Sequence, residues 1–473
     1  MKLFLSLLLA TLSTTLASAG ATNAVAPAKD TAHSQNRTRA ATQDTQYRAA
    51  FGHDPSKMLR PGLIADRTAR TVQISAETIR LNPGDPVEFP LIATTSGKDY
   101  EALAISFAAP SDIHAALEFI GLPPGKTVSP DAMRFWPRGE PVTMTFTYDD
   151  LIGSSNITRT VSVAQLIIDT RTGKTIPDEG FLFTGSEWDP AAGTGRVYAA
   201  DVYTPNCIAS LYNERFTVLD VPRRVAQSEV YTFLVPNPDL RLPATTFTTV
   251  TLEPRHKDGH RRVTDLTLRL GSSTNMPLPE TAMPWTISMG SSVEQGTGLD
   301  PLASSLTRLA AAGNDLYATI EPDDLLPLAT IRRLALFVSS LESRALLRVE
   351  PPPSGHPYYK TFLPDEKHRD RAKRPTQPWE LYLTDSGTGV TGELVHVEEE
   401  WSDDGSPSTY KETRHAAPGP DVLPALLLKH EAPAVVFVFT TPGLPYGVLR
   451  RFVAPLLERK MILYVFADWP RQP

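Results

Sequence analysis

Disulfide chemistry is the first thing this chain lacks, because its 473 residues contain one cysteine, Cys207. An intramolecular bridge is excluded, and so are CxxC redox and zinc-ribbon motifs. Cys207 lies in Asn206-Cys207-Ile208-Ala209-Ser210-Leu211-Tyr212, which reads as a half-buried strand with nothing nearby to lower the thiol pKa. A buried, inert thiol is the expectation. Long apolar runs are also missing. The N-terminal run from Leu3 to Ala10 falls far short of the roughly 20 residues that a membrane-spanning helix needs, and no later segment qualifies. Positive charge is in deficit: 46 Lys and Arg stand against 53 Asp and Glu, for a net charge of −7. Phosphate backbones and anionic lipid surfaces call for clustered cations, so nucleic acid is excluded as a general partner. Catalytic spellings are absent as well, with no GxSxG elbow, P-loop, HExxH or EF-hand loop, and no cofactor or metal set is read.

What is present begins with a leader. Met1-Lys2 is followed by the Leu-rich run and by Ala17-Ser18-Ala19, which is the layout of a basic start, an apolar core and a small-residue cleavage site. Residues 1–19 therefore read as a signal peptide. No cysteine stands near the cleavage site to carry a lipid anchor, so the expected product is free of any transmembrane anchor and is periplasmic or secreted. Removing the leader leaves about 450 residues, more than one hydrophobic core accommodates. Proline is abundant, with 43 residues against a usual share of about 5%, and it favours strands, turns and stiff linkers over long helices. The fold class expected is α+β, multi-domain, with mixed sheets, few helices and strand-helix-strand units at the C-terminus.

Residues 20–50 hold almost no large apolar side chain and read as a disordered tether. From Phe51 the texture becomes alternating, with period-two runs at 71–75, 87–92, 101–107, 142–148, 161–168, 181–184, 196–202 and 207–212. One helix stands among them: Ser111 offers an N-cap, Ile113, Ala116, Leu117 and Ile120 make one apolar face, and Gly121 ends it. Together these predict an α+β domain over 51–225. A β-rich segment over 226–300 follows, in which Thr246–Leu252 and Arg262–Leu270 are expected to pair as a hairpin across Asp258-Gly259. Residues 301–473 carry a weak repeat. Pro327 precedes Ile331-Arg332-Arg333-Leu334 at the spacing with which Pro445 precedes Leu449-Arg450-Arg451-Phe452, and a strand comes before and after each. Residues 350–430, between the copies, read as linker and hairpin.

Three local patterns invite chemistry and lose to plainer readings. Gly387-Thr388-Gly389-Val390-Thr391-Gly392 spells GxGxxG, but an alternating β-branched run follows where a phosphate-binding helix would have to begin, so a hairpin turn is expected. His256 and His260 sit in a turn without a third ligand at any recognisable spacing. Asp149-Asp150, ahead of Gly153-Ser154, suits a turn better than a carboxylate site.

Two resemblances follow from residues already quoted and their neighbours. Gly97-Lys98-Asp99-Tyr100-Glu101-Ala102-Leu103, the helix with Gly121-Leu122-Pro123-Pro124-Gly125, Asp169-Thr170-Arg171-Thr172-Gly173-Lys174, Phe183-Thr184-Gly185-Ser186 and Ser210-Leu211-Tyr212-Asn213 together resemble the YdjY domain of bacterial exported proteins over about 150 residues. That resemblance implies a bacterial source and no particular activity. The unit from Thr441 to Leu449 looks like the periplasmic half of ExbD/TolR proteins, over about 35 residues per copy. Those proteins carry a membrane helix with a proton-handling carboxylate, which this chain lacks, so only a fold or an envelope-binding role is implied. Within the YdjY-like signature, Glu101 and His114 would be the natural acid/base pair of an enzyme. A helix that doubles back would hold them more than about 10 Å apart, so structural roles are favoured, with Glu101 paired to Lys98 and His114 bonded to a loop carbonyl. The function expected is a non-catalytic periplasmic binding or assembly module for an envelope protein or glycan. The alternative is an enzyme of unassigned reaction that uses Glu101, His114, Ser210 and Asn213.

Overall fold

In the computed structural model, Val142, Met144, Phe146 and Tyr148 are buried while Thr143, Thr145 and Thr147 turn outward, the period-two pattern of a strand with one face in a core. The structure describes residues 28–152, 155–191, 195–240, 242–255, 262–271, 279–362, 379–385, 387, 389–401, 407–427 and 435–467. The leader, His256, His260 and the charged stretch 365–374 lie outside them. The first part of the chain forms β1 (Lys57–Arg60), β2 (Leu63–Asp66), β3 (Thr71–Thr78), β4 (Leu91–Ala93), β5 (Ala104–Ser106), β6 (Glu140–Ile152), β7 (Ser155–Ser162), β8 (Ile167–Asp169), β9 (Lys174–Thr175), β10 (Phe181–Phe183), β11 (Trp188–Ala191), β12 (Gly195–Tyr198), β13 (Cys207–Ala209), β14 (Leu219–Asp220), β15 (Leu234–Pro236) and β16 (Phe247–Pro254). Its helices are α1 (Ala28–Phe51), α2 (Pro110–Phe119), α3 (Val163–Leu166) and α4 (Ala199–Val202).

These strands close into a barrel. The order β3-β16-β6-β10-β14-β13-β4-β5 returns to β3, because β3 pairs with β2 along Thr71–Ile74 and with β5 along Ala76–Thr78. Eight strands leave an interior that side chains fill, here with Val72, Ile74, Phe146, Val250, Leu252, Cys207 and Phe183 among others. β1 and β2 extend the sheet beyond β3, and β7 extends it beyond β6. Helix α2 packs on β1, β2 and β3 through Ile113, Ala116 and Leu117. Pro110 takes its first position in place of the expected serine cap, the Ser111 amide is met by Asp201 at 3.0 Å, and Gly121 follows with φ 86°.

Several sequence expectations are corrected here. Residues 28–50, placed in the disordered tether, form helix α1 together with Phe51. The helix is polar almost throughout and is held by polar contacts: Asn36 donates to Glu77 and to the Thr245 carbonyl, Asp44 accepts from the Gly62 amide, and the Arg39 guanidinium lies 4.4 Å from the Phe247 ring centre. The hairpin over 246–270 does not form. Strand β16 pairs with β3 and β6 inside the barrel, whereas Arg262–Leu270 belongs to a different sheet, so the barrel runs on past residue 225. The strand expected at 161–168 is broken by α3, and Glu101 ends a single 3-10 turn (Asp99–Glu101) and does not open a strand. Asp149 and Asp150 lie within β6, bound to Thr158 and Arg159 across the hairpin.

The rest of the chain builds the same arrangement twice. The first unit comprises β17 (Arg262–Leu270), β18 (Pro284–Met289), β19 (Ser292–Thr297), α5 (Leu299–Ala311), β20 (Asn314–Pro322), α6 (Leu328–Ser343) and β21 (Arg348–Val349), in sheet order β19-β18-β17-β20-β21. The second comprises β22 (Trp379–Asp385), β23 (Val390–Trp401), β24 (Pro407–Ala417), α7 (Leu423–Leu427), β25 (Val435–Phe439), α8 (Tyr446–Glu458) and β26 (Ile462–Phe466), in order β24-β23-β22-β25-β26. Residues 379–417, assigned to linker and hairpin, are thus three strands of a sheet. The glycine-rich turn joins β22 to β23 with Asp385 opposite Val390, as a hairpin and not a nucleotide loop.

The two units face each other about the two prolines. Pro327 and Pro445 pair as an antiparallel bridge, and the first-turn amides of each helix bond to carbonyls of the other unit. Leu328 N donates to Leu444 O at 3.0 Å, and its counterpart Tyr446 N donates to Leu326 O at 2.8 Å; Ala329 N to Pro442 O and Gly447 N to Asp324 O repeat the relation. Helix starts leave amides without intrahelical partners, and each unit here supplies acceptors for the other. One continuous apolar core runs through both, from Leu268 and Leu334 to Val438 and Leu449.

Candidate functional site

The four residues singled out from sequence occupy two places on the barrel. Glu101 is buried and receives the Lys98 ammonium at 2.8 Å, a contact that holds Lys98 above its ordinary pKa. Next to it, Glu88 is fully buried and accepts from Gln227 at 2.9 Å, and burial raises its pKa. Ser210 donates to the Tyr212 carbonyl two residues on, closing a local turn. Asn213 donates to Asp220 and to the Arg223 carbonyl and accepts from the Val225 amide, so its amide group is committed on both sides. Asp220 is completely buried. Its Oδ1 takes the Asn213 and Val221 donors, its Oδ2 has no partner, and burial pushes its pKa well up. Burial raises Glu214 and Tyr212 as well.

His114 stands apart from this group, in an aromatic cage. Its ring lies 5.2 Å from both Phe183 and Tyr198, and its Nδ1 is 3.0 Å from the Gly185 carbonyl oxygen and 3.0 Å from the Tyr198 hydroxyl. Burial lowers its pKa, while Glu118, 3.4 Å from Nε2, acts in the opposite sense. Gly185, at φ 82°, passes so close that a Cβ there would meet His114 Cε1 at 3.1 Å. Glu101 and His114 share no hydrogen-bond partner, and Ser210 has no base against its hydroxyl. Each of the four is bonded to another group of the barrel: Glu101 to Lys98, His114 to the Gly185 carbonyl and Tyr198, Ser210 to the Tyr212 carbonyl and Asn213 to Asp220. Cys207 is buried in β13, where burial raises its thiol pKa well above the ordinary range and makes a thiolate unavailable. Among the described residues no group of three or more His, Cys, Asp or Glu side chains is placed to hold a metal ion.

An open site lies where the barrel meets the first repeated unit. The junction is built by the loop Met133-Arg134-Phe135-Trp136-Pro137-Arg138. Trp136 Nε1 donates at 2.5 Å to buried Glu342 of α6, which also takes Tyr359 and Lys360. Arg138 grips Asp265 with two bonds of 2.6 and 2.8 Å, and the Tyr317 hydroxyl donates to the Pro137 carbonyl. Beside this clasp runs a groove, open to solvent and lined by Lys126, Arg134, Arg138, Thr267, Ser288 and Thr319 among others. Its floor is the face of the β17–β20 sheet opposite the helices, since Leu266, Leu268, Leu316 and Ala318 point the other way into the core. Arg138 is paired with both Asp265 and Glu350, Arg134 and Lys126 have no ion-pair partner among the described residues, and the charged lining as a whole is left with one positive charge in excess; the Arg134 Nε is shielded from water without a partner.

Sequence reasoning passed over these groove residues, because each is an ordinary outward position of an alternating strand or of a short loop. The signal that existed was the basic-aromatic spelling of residues 134–138. A second groove, under α1, is lined by Gln35, Thr38, Arg39 and Gln43. Its polar groups are largely engaged, with Arg39 over Phe247 and Gln43 bonded to Tyr47 and Ser75. Compared with known proteins, the chain matches no family model, no curated protein and no solved structure.

Proposed function

We propose that this chain is an exported, non-catalytic binding module of the bacterial envelope, which takes an envelope component in the groove between the barrel and the first repeated unit. The observation that carries the reading is an open polar groove that keeps an excess of positive charge, with Arg134 and Lys126 outside the Arg138-Asp265-Glu350 cluster, in a chain whose net charge is negative. Export rests on the leader at residues 1–19, which the mature N-terminus of protein from a periplasmic fraction would test. The absence of a nucleophile-base contact among Glu101, His114, Ser210 and Asn213 favours binding over the enzyme alternative. No helix among the described residues is long and apolar enough to cross a membrane.

The test is retention of envelope material by the immobilised protein beside a K126E/R134E variant. A glycan or protein held by the natural chain and released by the variant is the expected result. Equal recovery on both would sink the assignment of the groove, and recovery on neither would sink the binding reading itself.

A further inference from the structure

The groove has a floor as well as charged walls, and the floor is regular. Thr267 of β17 stands directly opposite Ser288 of β18 on one side and Thr319 of β20 on the other. Three hydroxyl side chains therefore cross three adjacent strands in one row on one face, at the ~4.8 Å spacing of neighbouring strands. All three residues are part-exposed and line the groove, and none of the three hydroxyls has a hydrogen bond among the described residues. A hydroxyl both donates and accepts, so the row can exchange hydrogen bonds with a polyhydroxylated ring laid along it.

Above the row stand Arg134 and Lys126. A shielded guanidinium N–H without an acceptor is rare in folded proteins, because it forfeits its hydration and gains nothing in return. That Nε is closed to solvent, so an anion in the groove meets the Arg134 charge through the terminal guanidinium nitrogens, together with that of Lys126. The guanidinium fork matches the two oxygens of a carboxylate or a phosphate. Asp265 and Glu350 do not fill this role, since both are drawn to Arg138 at the end of the clasp loop.

We infer that the groove binds a polyhydroxylated anion, a sugar acid or sugar phosphate, with its charged group on Arg134 and Lys126 and its hydroxyls on the row Ser288-Thr267-Thr319. This rests on the groove being the binding site and adds the chemical class of its ligand. The row and the cations separate two contributions. The cations select for charge, and the hydroxyls select a sugar over a bare anion.

Calorimetric titration of the full-length protein with glucuronate, glucose 6-phosphate, glucose and inorganic phosphate tests each contribution. Glucuronate and glucose 6-phosphate, which distinguish the carboxylate from the phosphate source, are expected to bind at least about tenfold more tightly than glucose and than inorganic phosphate. R134M should weaken the charged sugars by roughly tenfold to a hundredfold and flatten their salt dependence. K126Q, at an exposed position, should do the same to a smaller degree without touching the fold. T267V/T319V should bring glucose 6-phosphate down toward inorganic phosphate while leaving inorganic phosphate unchanged. Inorganic phosphate binding as tightly as glucose 6-phosphate would overturn the ligand class, and so would affinities unmoved by both R134M and K126Q. Failure of all four probes, with envelope material still retained by the natural chain and released by K126E/R134E, would leave the groove as a binding site and discard the sugar anion.

Discussion

Asp220 shows how a buried carboxyl in the barrel wall ties stability to pH. Its pKa stands well above the ordinary 3.8, chiefly through burial, and only one of its oxygens is satisfied. The folded state therefore holds the proton more tightly than the unfolded chain does. Its contribution is complete below about pH 4 and is lost as pH rises toward the folded pKa, by up to about 1.4 kcal/mol per pH unit. D220N keeps an acceptor for Asn213 and Val221 and cannot ionise. It should gain on the natural chain as pH rises above about 4, which urea unfolding at several pH values would read, and parallel pH profiles for the two proteins would refute the account. His114 acts in the other direction. Its pKa is lowered, so its contribution is present above the ordinary 6.5 and is lost as pH falls through the folded value. The two expected pairings, Glu101 with Lys98 and His114 with a loop carbonyl, match the contacts found. They were legible because each follows from local geometry. The Asp220 contact with Asn213 was not, since it depends on a turn that returns the chain on itself.

At the scale of elements, helix α1 and the start of α8 depend on neighbours distant in the chain. α1 shows no apolar stripe, and an isolated helix of its kind is marginal in water. Long-range polar bonds from Asn36 and Asp44 hold it on the barrel, so composition alone pointed to disorder. N36A/D44A should release it: hydrogen exchange is expected to quicken in residues 28–51 while the amides of β6 and β16 keep their protection. Unchanged exchange in α1 would show that other contacts suffice. At α8, Gly447 admits the opposing unit, since a Cβ there would meet Asp324 Cβ at 2.7 Å. G447V should lower stability by roughly 1–3 kcal/mol through overpacking, seen as a fall in the melting temperature of about 2–4 °C per kcal/mol. A melting temperature equal to that of the natural chain would mean that the two units do not rest on each other there.

Among the described residues, the barrel meets the paired platform at an aromatic-basic loop, residues 133–138. Trp136 is the pivot, because its indole N–H is the barrel's bond to buried Glu342, which Tyr359 and Lys360 hold from the platform side. W136F removes that donor and leaves a smaller ring in a buried site. The cost expected is at least about 1.5–3 kcal/mol, the range for a hydrogen bond to a charged group, with the lost packing added to it. Exchange should rise on both sides of the junction, at residues 134–138 and in the last turn of α6, and a rise confined to one side would argue that barrel and platform are not coupled through Glu342.

Alternating apolar and polar residues marked several strands, such as Thr71–Thr78 and Glu140–Ile152, and the buried face of each, because that choice depends only on neighbours one and two residues away, but they carried strands across 161–168 and 196–202 as well, where short helices stand. They also placed helix α2 and made the two proline-led units visible as a repeat. Strand partnership is a matter of the third dimension. Pattern alone left Arg262–Leu270 free to pair with the strand just before it, while the tertiary structure gave it to β18 and β20 and gave β16 to the barrel. The groove belongs to the same level. Arg134, Lys126 and the hydroxyl row come from segments more than 100 residues apart, and only the docking of two bodies, each with its own core, sets them around one space.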